Sequence, residues 1–424
     1  MTKNIGFLST RLAGTDGVSL ETAKIAEIYR RLGHATYFCA GELDPDLPGL
    51  SVPEMHFTHP DILAIHDAAF CSHPLPNIEH RISHLAASLK PHLHRFVHDY
   101  QIDLLFIQNA LAIPMNIPLG VALTDFIAET NLPALAHNHD LYWERERFLH
   151  SHIPEILERC FPPVLSSLRH IVINSLAQRE LIRRKGVESV VLPNIFNFAQ
   201  GGNHAAVPTP DALNSDQRQA LGITDNHQLI IQPTRVIPRK GIELSIELVR
   251  RLRAPEKLSR LGKEPVLVIS HHAGDEGVDY LRQLQHQAEA AGVPLLYAAE
   301  HFAPQRAMKN GQKIYSLWDA YVHADFVTYP SLLEGFGNAL IETVYFRLPA
   351  LVNHYEVYVK DIRPLGFDFV EIAGKITDKA VENCFQLLTD PARRQQTVEW
   401  NYKLARQHYS YEAVMPLLEA LHQT

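Results

Sequence analysis

The stretch QLIIQPTRVIPRKG, residues 228–241, followed by IELSIELVR, residues 242–250, decides the fold. The short apolar run Gln228–Gln232 is typical of a buried strand. The residues after Gly241 repeat apolar side chains at helical spacing, which predicts an amphipathic helix over 241–253. A strand, a basic loop and a helix in this order are the repeating unit of parallel α/β proteins.

The same alternation continues on both sides of this stretch. In the first half of the chain we predict strands at Asn4–Leu8, Thr36–Ala40, Asp103–Ile107, Ala134–Ala136, His170–Ile173 and Ser189–Leu192, and helices at Ser19–Leu32 and near 78–99, 116–130 and 175–185. In the second half we predict further strands at Pro265–Ser270, Pro294–Tyr297, Asp325–Thr328 and Pro349–Val352, and helices at 276–291, 313–323, 338–347, 375–389 and 391–407.

The chain length and a break in the pattern indicate two domains. A chain of 424 residues exceeds what one core usually supports. Pro193-Asn194 interrupts the alternation, and residues 199–215 have the composition of a linker or surface loop. We therefore expect an α/β fold of two doubly wound, Rossmann-like domains facing across a cleft, with ligands beyond the carboxyl ends of the strands. The expected domains are residues 1–193, with a C-terminal helix at about 408–424 packing back on them, and residues 194–407.

Composition excludes some classes of binding partner and indicates a cellular compartment. The formal net charge is 39 − 47 = −8, and no long basic run is present, which argues against nucleic acid or an anionic membrane as partner. No apolar run approaches the ~18 residues of a membrane span. Four scattered cysteines and an N-terminus without a signal-peptide pattern predict a cytoplasmic protein. The 25 histidines show no zinc-site spacing and Asp44-Pro45-Asp46 fits a Pro-rich loop, so no metal site is predicted.

Two clusters follow predicted strands of the second domain. Arg235 and Lys240 lie on the loop after strand Gln228–Gln232, where a guanidinium and an ammonium group suit a diphosphate. The alternative is a solvated basic loop. The segment Glu334–Glu342 follows strand Asp325–Thr328 and opens a helix, and its glycines and helix N-terminus suit a phosphate. The alternative here is a capped helix with two incidental glutamates.

A third cluster, residues 137–147, reads HNHDLYWERER and follows strand Ala134–Ala136. Its aromatic and charged side chains are suited to a sugar face and an anionic group. The alternative is an amphipathic segment that packs an aromatic stripe and pairs glutamate with arginine.

Together these clusters resemble the donor site of the family-four retaining glycosyltransferases, which have the GT-B fold. The resemblance rests on an Arg and a Lys five residues apart, Arg235/Lys240, and on the two glutamates of the segment Glu334–Glu342. The glycine loop ending at Gly17, the Pro193-Asn194 hinge and the terminal Tyr409-Ser410-Tyr411 stretch also fit, so the resemblance covers nearly the whole chain.

The resemblance implies a set of site residues. The catalytic residues would be His139, Glu334, Arg235 and Lys240, with His137 as the alternative to His139. The donor would be bound by Gly17, Arg235, Lys240, Glu334, Phe336, Gly337, Asn338, Glu342, His271 and Phe302. Among these, Arg235 and Lys240 would hold the diphosphate, Glu334 the sugar, Glu342 the ribose, and His271 and Phe302 would lie near the base. The acceptor would contact Asp140, Tyr142, Trp143 and Arg145.

The resemblance also implies the chemistry. Retention without an evident nucleophile points to front-side displacement, in which cationic residues and a helix N-terminus replace a metal. We expect no cofactor beyond a nucleotide diphosphate sugar as co-substrate. Similarity to a branch that makes small compatible solutes favours GDP-mannose, with UDP-glucose second, and a small anionic or glycosidic acceptor. The alternatives are a non-catalytic nucleotide-sugar-binding protein, a GT-B epimerase, and a phosphorylase, for which we find no covalent-cofactor lysine.

Overall fold

A computed structural model describes residues 2–14, 16–71, 75–199, 207–274 and 277–423. The chain forms two compact units, which we call unit 1 (Met1–Ile195 with Tyr411–Thr424) and unit 2 (Phe196–Ser410). Each unit has its own parallel β-sheet, so the predicted α/β alternation is confirmed.

The strands and helices follow one another as the alternation requires. The strands are β1 (Asn4–Leu8), β2 (Arg11–Leu12), β3 (Ala35–Ala40), β4 (Glu42–Leu43), β5 (Gly49–Ser51), β6 (Leu104–Gln108), β7 (Ala134–Asn138), β8 (Leu168–Val172), β9 (Ser189–Val191), β10 (His227–Gln232), β11 (Glu264–Ile269), β12 (Leu295–Tyr297), β13 (Phe302–Ala303), β14 (Ala307–Lys309), β15 (Gln312–Ser316), β16 (Phe326–Tyr329), β17 (Ala350–Asn353) and β18 (Val370–Ile372). The helices are α1 (Gly17–Arg31), α2 (Pro60–Phe70), α3 (Ile78–Asp99), α4 (Ile117–Thr130), α5 (Pro154–Cys160), α6 (Ser175–Lys185), α7 (Gln217–Ala220), α8 (Ile242–Leu252), α9 (Pro255–Leu261), α10 (Asp279–Ala290), α11 (Leu317–Val322), α12 (Asn338–Tyr345), α13 (Asp378–Thr389), α14 (Pro391–Tyr409) and α15 (Tyr411–Gln423).

Unit 1 is a doubly wound sheet with the strand order β5-β3-β1-β6-β7-β8-β9. Its central strands are apolar on both faces because helices cover both sides. Phe7 on β1 stacks on Phe38 and Phe106 of the two neighbouring strands, at centroid distances of 5.6 and 5.2 Å. On this face α1 and α15 complete the core, while α2, α3 and α4 pack on the opposite face. The C-terminal helix thus belongs to unit 1.

Unit 2 repeats the design with the strand order β12-β11-β10-β16-β17-β18. The chain builds outward from β10 to β11 and β12, then returns to β16 on the other side of β10 and continues outward to β18. The order of the strands therefore reverses between β10 and β16. The crevice at such a reversal, at the carboxyl ends of the strands, is where sheets of this kind bind ligands.

One predicted element is wrong in its first half. We predicted a helix over 313–323, but Gln312–Ser316 is strand β15, which pairs antiparallel with β14. The helix begins only at Leu317, where Ser316 and Asp319 form a capping box. Residue 276, at the start of the helix predicted at 276–291, and residues 200–206 of the predicted linker lie outside the described residues.

Candidate active site

The two basic and glycine-rich loops of unit 2 leave the sheet at its reversal point. The loop carrying Arg235 and Lys240 follows β10, and the loop carrying Glu334 follows β16, the adjacent strand. The amide N–H of Leu332 donates to the carbonyl of Arg239 over 2.8 Å, which joins one loop to the other. The sequence-predicted donor residues Lys240 and Glu334 therefore lie side by side.

A buried polar cluster fixes the base of both loops. The side-chain oxygen Oε1 of Gln232 accepts hydrogen bonds from the hydroxyls of Ser245 on α8 and Thr328 on β16, each over 2.9 Å. Its side-chain nitrogen Nε2 donates to the Thr234 hydroxyl over 2.9 Å. All four side chains are buried. Since each is satisfied inside the protein, the cluster holds the loop geometry without leaving an orphaned polar group.

The Glu334 carboxylate is held by two cations. Its Oε1 is ion-paired with Nζ of Lys240, and its Oε2 lies 3.3 Å from Nη1 of Arg239. The Lys240 and Glu334 side chains are only 9% and 10% exposed. Arg235, in contrast, is an exposed side chain on the same loop. The site thus combines a buried ion pair with a cation accessible to solvent.

Burial and neighbouring charges set the protonation states. Burial raises the pKa of Glu334, but the charge and hydrogen bond of Lys240 outweigh it, and the net shift is downward, so the carboxylate is ionised at neutral pH. Burial lowers the pKa of Lys240, and Glu334 partly offsets that shift. Burial and the charges of Lys240 and Arg235 lower the pKa of His271 to about 4, so this imidazole is neutral at pH 7.

Position 337 requires a glycine, because of both its backbone conformation and its close neighbours. Its φ of +131° is a conformation that other residues rarely adopt, and a Cβ there would lie 2.5 Å from the Tyr355 hydroxyl. That hydroxyl donates to the carbonyl of Phe336 over 2.7 Å. The Phe336 ring is buried, so only its backbone is available to a ligand. Helix α12 begins at Asn338, whose side chain is exposed.

Glu342 lies one turn into α12. Its Oε2 accepts a hydrogen bond of 2.9 Å from the hydroxyl of buried Tyr321 on α11. Tyr321 is itself stacked on Phe346 at a centroid distance of 5.0 Å, so the carboxylate is held from inside the unit. This fixes a partly buried acceptor one turn from the helix N-terminus.

The expected base-binding residues differ in accessibility. His271 follows β11 and is partly exposed, with Nδ1 3.1 Å from the Ser270 hydroxyl. Phe302 is 2% exposed, and its ring packs 6.2 Å from that of Tyr315. The structure packs this ring in the core, and the prediction that the base lies near Phe302 stays a prediction.

In unit 1, the two candidate histidines share one partner. Nδ1 of His137 and Nε2 of His139 each lie 3.0 Å from Oε1 of Gln108 at the end of β6. His137 is fully buried and His139 partly buried. Burial lowers the pKa of both rings, so both are neutral at pH 7. Gly17, the first residue of α1, is exposed, and no atom of the described residues lies within 4 Å of where a Cβ would be.

The expected acceptor residues also differ in their accessibility to solvent. Nη2 of Arg145 is ion-paired with Asp140 over 2.7 Å, and both side chains are accessible. Trp143 is 9% exposed and packs with Leu141, Val172 and other apolar residues, with the Arg184 guanidinium 5.1 Å from its ring. The expectation that Trp143 contacts the acceptor is therefore not supported: the packed-stripe alternative holds for this ring. Tyr142 is half-buried at the edge of the same cluster.

Several residues that contact the candidate site residues were missed by the sequence interpretation. Arg239 lies between the two cations that we singled out, and its position beside Glu334 depends on the turn Pro238–Lys240. Tyr355 and Gln108 come from distant parts of the chain, and no local pattern marks them. Among the described residues, no group of three or more His, Cys, Asp or Glu side chains could hold a metal ion, and no helix is long and apolar enough to cross a membrane.

Comparison with known proteins places the chain in a family. Residues 214–403 match the family described as glycosyl transferases group 1. The chain is 32% identical to the mannosylglucosylglycerate synthase of Thermotoga maritima, with 95% of this chain and 96% of that protein covered. The chain belongs to the group 1 glycosyltransferases. It is also 31% identical to the mannosylglucosylglycerate synthase of Petrotoga mobilis, over 91% of this chain and 94% of the relative.

Solved structures of glycosyltransferases share the fold. A glycosyltransferase from Rickettsia africae aligns with a TM-score of 0.67 at 13% identity, covering 100% of this chain and 98% of that chain. HepE of Anabaena in complex with UDP and glucose aligns with a TM-score of 0.64 at 15% identity over both whole chains. The expected GT-B class of fold and the expected enzyme class, a glycosyltransferase, are both confirmed.

Proposed function

We propose that this glycosyltransferase moves a hexosyl residue, with retention of anomeric configuration, from a nucleotide diphosphate sugar to a small carboxylate-bearing glycoside. GDP-mannose is the proposed donor and UDP-glucose the second candidate. The observation that carries the proposal is the ion pair of Lys240 and Glu334 beside the N-terminus of α12, at the reversal point of the unit 2 sheet. The names of the two relatives, which describe a product with mannosyl, glucosyl and glycerate parts, support the donor and acceptor classes.

Each donor group has a proposed partner in unit 2. Exposed Arg235 and buried Lys240 would hold the diphosphate, with the first backbone N–H groups of α12. The Glu334 carboxylate is ionised, so it would accept hydrogen bonds from sugar hydroxyls and would not act as a general acid. Glu342, oriented by Tyr321, would accept from ribose hydroxyls. Neutral His271 would lie beside the base, where it adds no charge.

The proposed reaction is front-side displacement. The bond from the anomeric carbon to the diphosphate breaks as the acceptor oxygen approaches from the same face, and the leaving diphosphate takes the acceptor proton. The protein's contribution is then to position the reactants and to stabilise the charge on the leaving group. Arg235, Lys240 and the N-terminus of α12 supply positive potential for that charge, so we propose that no metal ion is needed. Activity is expected to persist in EDTA, and a strict loss restored by a divalent cation would contradict this point.

A screen of donors tests the proposal. UDP- and GDP-linked hexoses are incubated with the protein, with and without glucosylglycerate, and free sugar and glycoside products are quantified. One donor is expected to be used, and Glu334→Ala and Lys240→Ala are expected to lose at least about tenfold in rate, or ~1.4 kcal/mol of transition-state stabilisation. Lys257→Ala, which removes a largely buried lysine paired with Glu382 over 2.7 Å outside the candidate site, is the matched control.

The alternatives give different products. A non-catalytic binding protein would bind the nucleotide and release neither free sugar nor glycoside. An epimerase would convert or hydrolyse the donor without forming a glycoside, whatever acceptor is present. Rates of donor use that are unchanged in both Glu334→Ala and Lys240→Ala would contradict the assignment of these residues to the donor site.

A further inference from the structure

A cavity of about 200 Å³ lies at the reversal point of the unit 1 sheet, between the carboxyl ends of β1 and β6. We call it the Arg11 cavity. It is lined by Ser9, Arg11, Asp16, Phe57, Gln108 and Asn109, among others. Its volume is below the roughly 300 Å³ at which pockets for drug-sized ligands begin, so it suits one small group. The site residues predicted from the sequence included none of these six.

Arg11 is held at the rim of the cavity with part of its guanidinium available. Its Nε and Nη2 both bond to Oδ2 of Asp16, at 3.3 and 3.0 Å. Asp16 is the N-cap of α1, and its oxygens also accept from the backbone N–H groups of Val18 and Ser19 and from the Ser19 hydroxyl. Its hydrogen-bonding capacity is therefore used inside the protein. In the described part of the chain, Nη1 of Arg11 bonds to no residue, so this end of the planar fork can receive a second carboxylate.

Gln108 lines the cavity and carries a buried polar atom that is unsatisfied among the described residues. The side chain is completely buried, and its Oε1 lies 3.0 Å from both His137 and His139. Its Nε2 is buried and has no hydrogen-bond partner among the described residues. Turning the amide around exchanges the two atoms and still leaves one of them unpaired. A buried amide group without a partner is costly unless a ligand satisfies it.

We propose that the Arg11 cavity binds the carboxylate-bearing end of the acceptor, with Arg11 on the carboxylate and the unpaired amide atom of Gln108 on an acceptor hydroxyl. The apolar wall at Phe57 suits the C–H face of the same small group. This inference rests on the proposed function, because it assigns a site to the acceptor of that reaction. It places acceptor recognition on Arg11 and Gln108, not on the buried ring of Trp143.

The test compares two probes that differ only in the carboxylate. Glucosylglycerate and glucosylglycerol, which lacks the carboxylate, are titrated calorimetrically into the full-length protein with and without GDP. The variants are Arg11→Met and Gln108→Met, and thermal unfolding checks that each is folded. Arg95→Met is the matched control, since Arg95 is likewise paired with an aspartate, Asp99, over 3.2 Å but lies on the exposed face of α3. GDP affinity is measured separately as the readout of the proposed donor site.

The wild type is expected to bind glucosylglycerate at least about tenfold more tightly than glucosylglycerol, since a lost charge-assisted pair costs about that much or more. Arg11→Met should abolish this preference and leave glucosylglycerol affinity unchanged. Gln108→Met removes a group that is proposed to contact a hydroxyl and not the carboxylate, so it should weaken the binding of both probes. Arg95→Met should change neither, and GDP affinity should be the same in all four proteins.

Three results would overturn the inference. They are an unchanged preference in Arg11→Met, a loss of GDP affinity parallel to the loss of acceptor affinity, and a wild type that binds GDP but neither probe. A wild type that binds no nucleotide contradicts the proposed function instead, while the two probes without GDP still test the cavity.

Discussion

Lys240 and Glu334, separated by 94 residues in the chain, form an ion pair in which both side chains are about nine-tenths buried. A desolvated ion pair adds little to stability by itself, because the cost of removing both charges from water roughly cancels their attraction. The pair lies where two loops leave adjacent strands at the reversal of the unit 2 sheet, which is where sheets of this kind bind ligands. The pair presents an ammonium group and an ionised carboxylate at the carboxyl ends of β10 and β16.

The first prediction separates stability from activity in this pair. Lys240→Met leaves the Glu334 carboxylate buried with its main partner removed, and we expect the free energy of unfolding to fall by about 3 kcal/mol. In the double variant Lys240→Met/Glu334→Gln, which carries no buried charge here, most of that stability should return while transfer stays at least about tenfold reduced. Urea unfolding and kcat/KM measure the two effects. Recovery of activity together with stability would contradict a role in donor binding.

The second prediction concerns the close approach at Gly337. Gly337→Ala combines an unfavourable φ with a Cβ 2.5 Å from the buried Tyr355 hydroxyl, and we expect a loss of ~2–4 kcal/mol in the free energy of unfolding. Adding Tyr355→Phe removes the clashing oxygen and should restore part of the loss. Gly262→Ala is the control, since its φ is +66° and no described residue lies within 4 Å of the added Cβ, so it should lose only about 1 kcal/mol. Equal losses at the two glycines would contradict the steric account.

The third prediction is a pH dependence of stability. The folded-state pKa of His271 is about 4, and the unfolded value is near 6.5, so between these values the unfolded chain binds more protons. Stability due to the neutral ring is complete above pH 6.5 and is lost as the pH falls toward 4. The full shift corresponds to ~3.4 kcal/mol, which we reduce to about 2 kcal/mol because the ring is partly exposed.

The variant His271→Asn isolates this contribution. His137 and His170 are also buried with lowered pKa values, so the wild type will lose stability at low pH for more than one reason. The difference in unfolding free energy between wild type and His271→Asn should therefore change between pH 7 and pH 4.5. A difference independent of pH, or a His271 ring that titrates near 6.5 by NMR, would contradict the burial account.

The fourth prediction tests the role of Trp143. Trp143→Phe replaces a buried indole by a smaller ring and weakens the contact with the Arg184 guanidinium, which lies 5.1 Å from the ring centre. We therefore expect the free energy of unfolding to fall by ~1–3 kcal/mol. The acceptor KM should be unchanged. An increase in KM without a loss of stability would restore the interpretation that this ring contacts the acceptor.

Much of the fold could be predicted because each parallel strand is a short apolar run between helical patterns. The strand Gln228–Gln232 and the helix after it are examples, and burial on both faces explains why the signal is strong. The β14–β15 hairpin was missed, although Asn310-Gly311, with φ values of +51° and +77°, is a strong hairpin signal. The short run at Ile314 and Tyr315 was ambiguous between strand and helix, and the true helix start at Ser316 was marked by its capping box.

The positions of the candidate site residues could be predicted only where a chemically suitable residue directly follows a predicted strand. Lys240 and Glu334 lie on loops that follow strands, so topology alone brings them together. The accessibility of Trp143 and Phe302 could not be read in the same way, since an aromatic residue in a loop packs inward or faces a ligand according to tertiary contacts. Gln108 illustrates a second limit. One of its histidine partners lies on the neighbouring strand and the other just after it, and an amide atom without a partner among the described residues is visible only in three dimensions.

The most direct test of the central claim is the anomeric configuration of the product. GDP-α-mannose and glucosylglycerate are incubated with the wild type, Glu334→Ala and the control Lys257→Ala, and the C1–H1 coupling of the new glycoside is measured by NMR. We predict an α-mannoside from the wild type and from Lys257→Ala, and at least about tenfold less of it from Glu334→Ala. A β-mannoside, or full α-mannoside formation by Glu334→Ala, would contradict a retaining transfer that depends on this carboxylate.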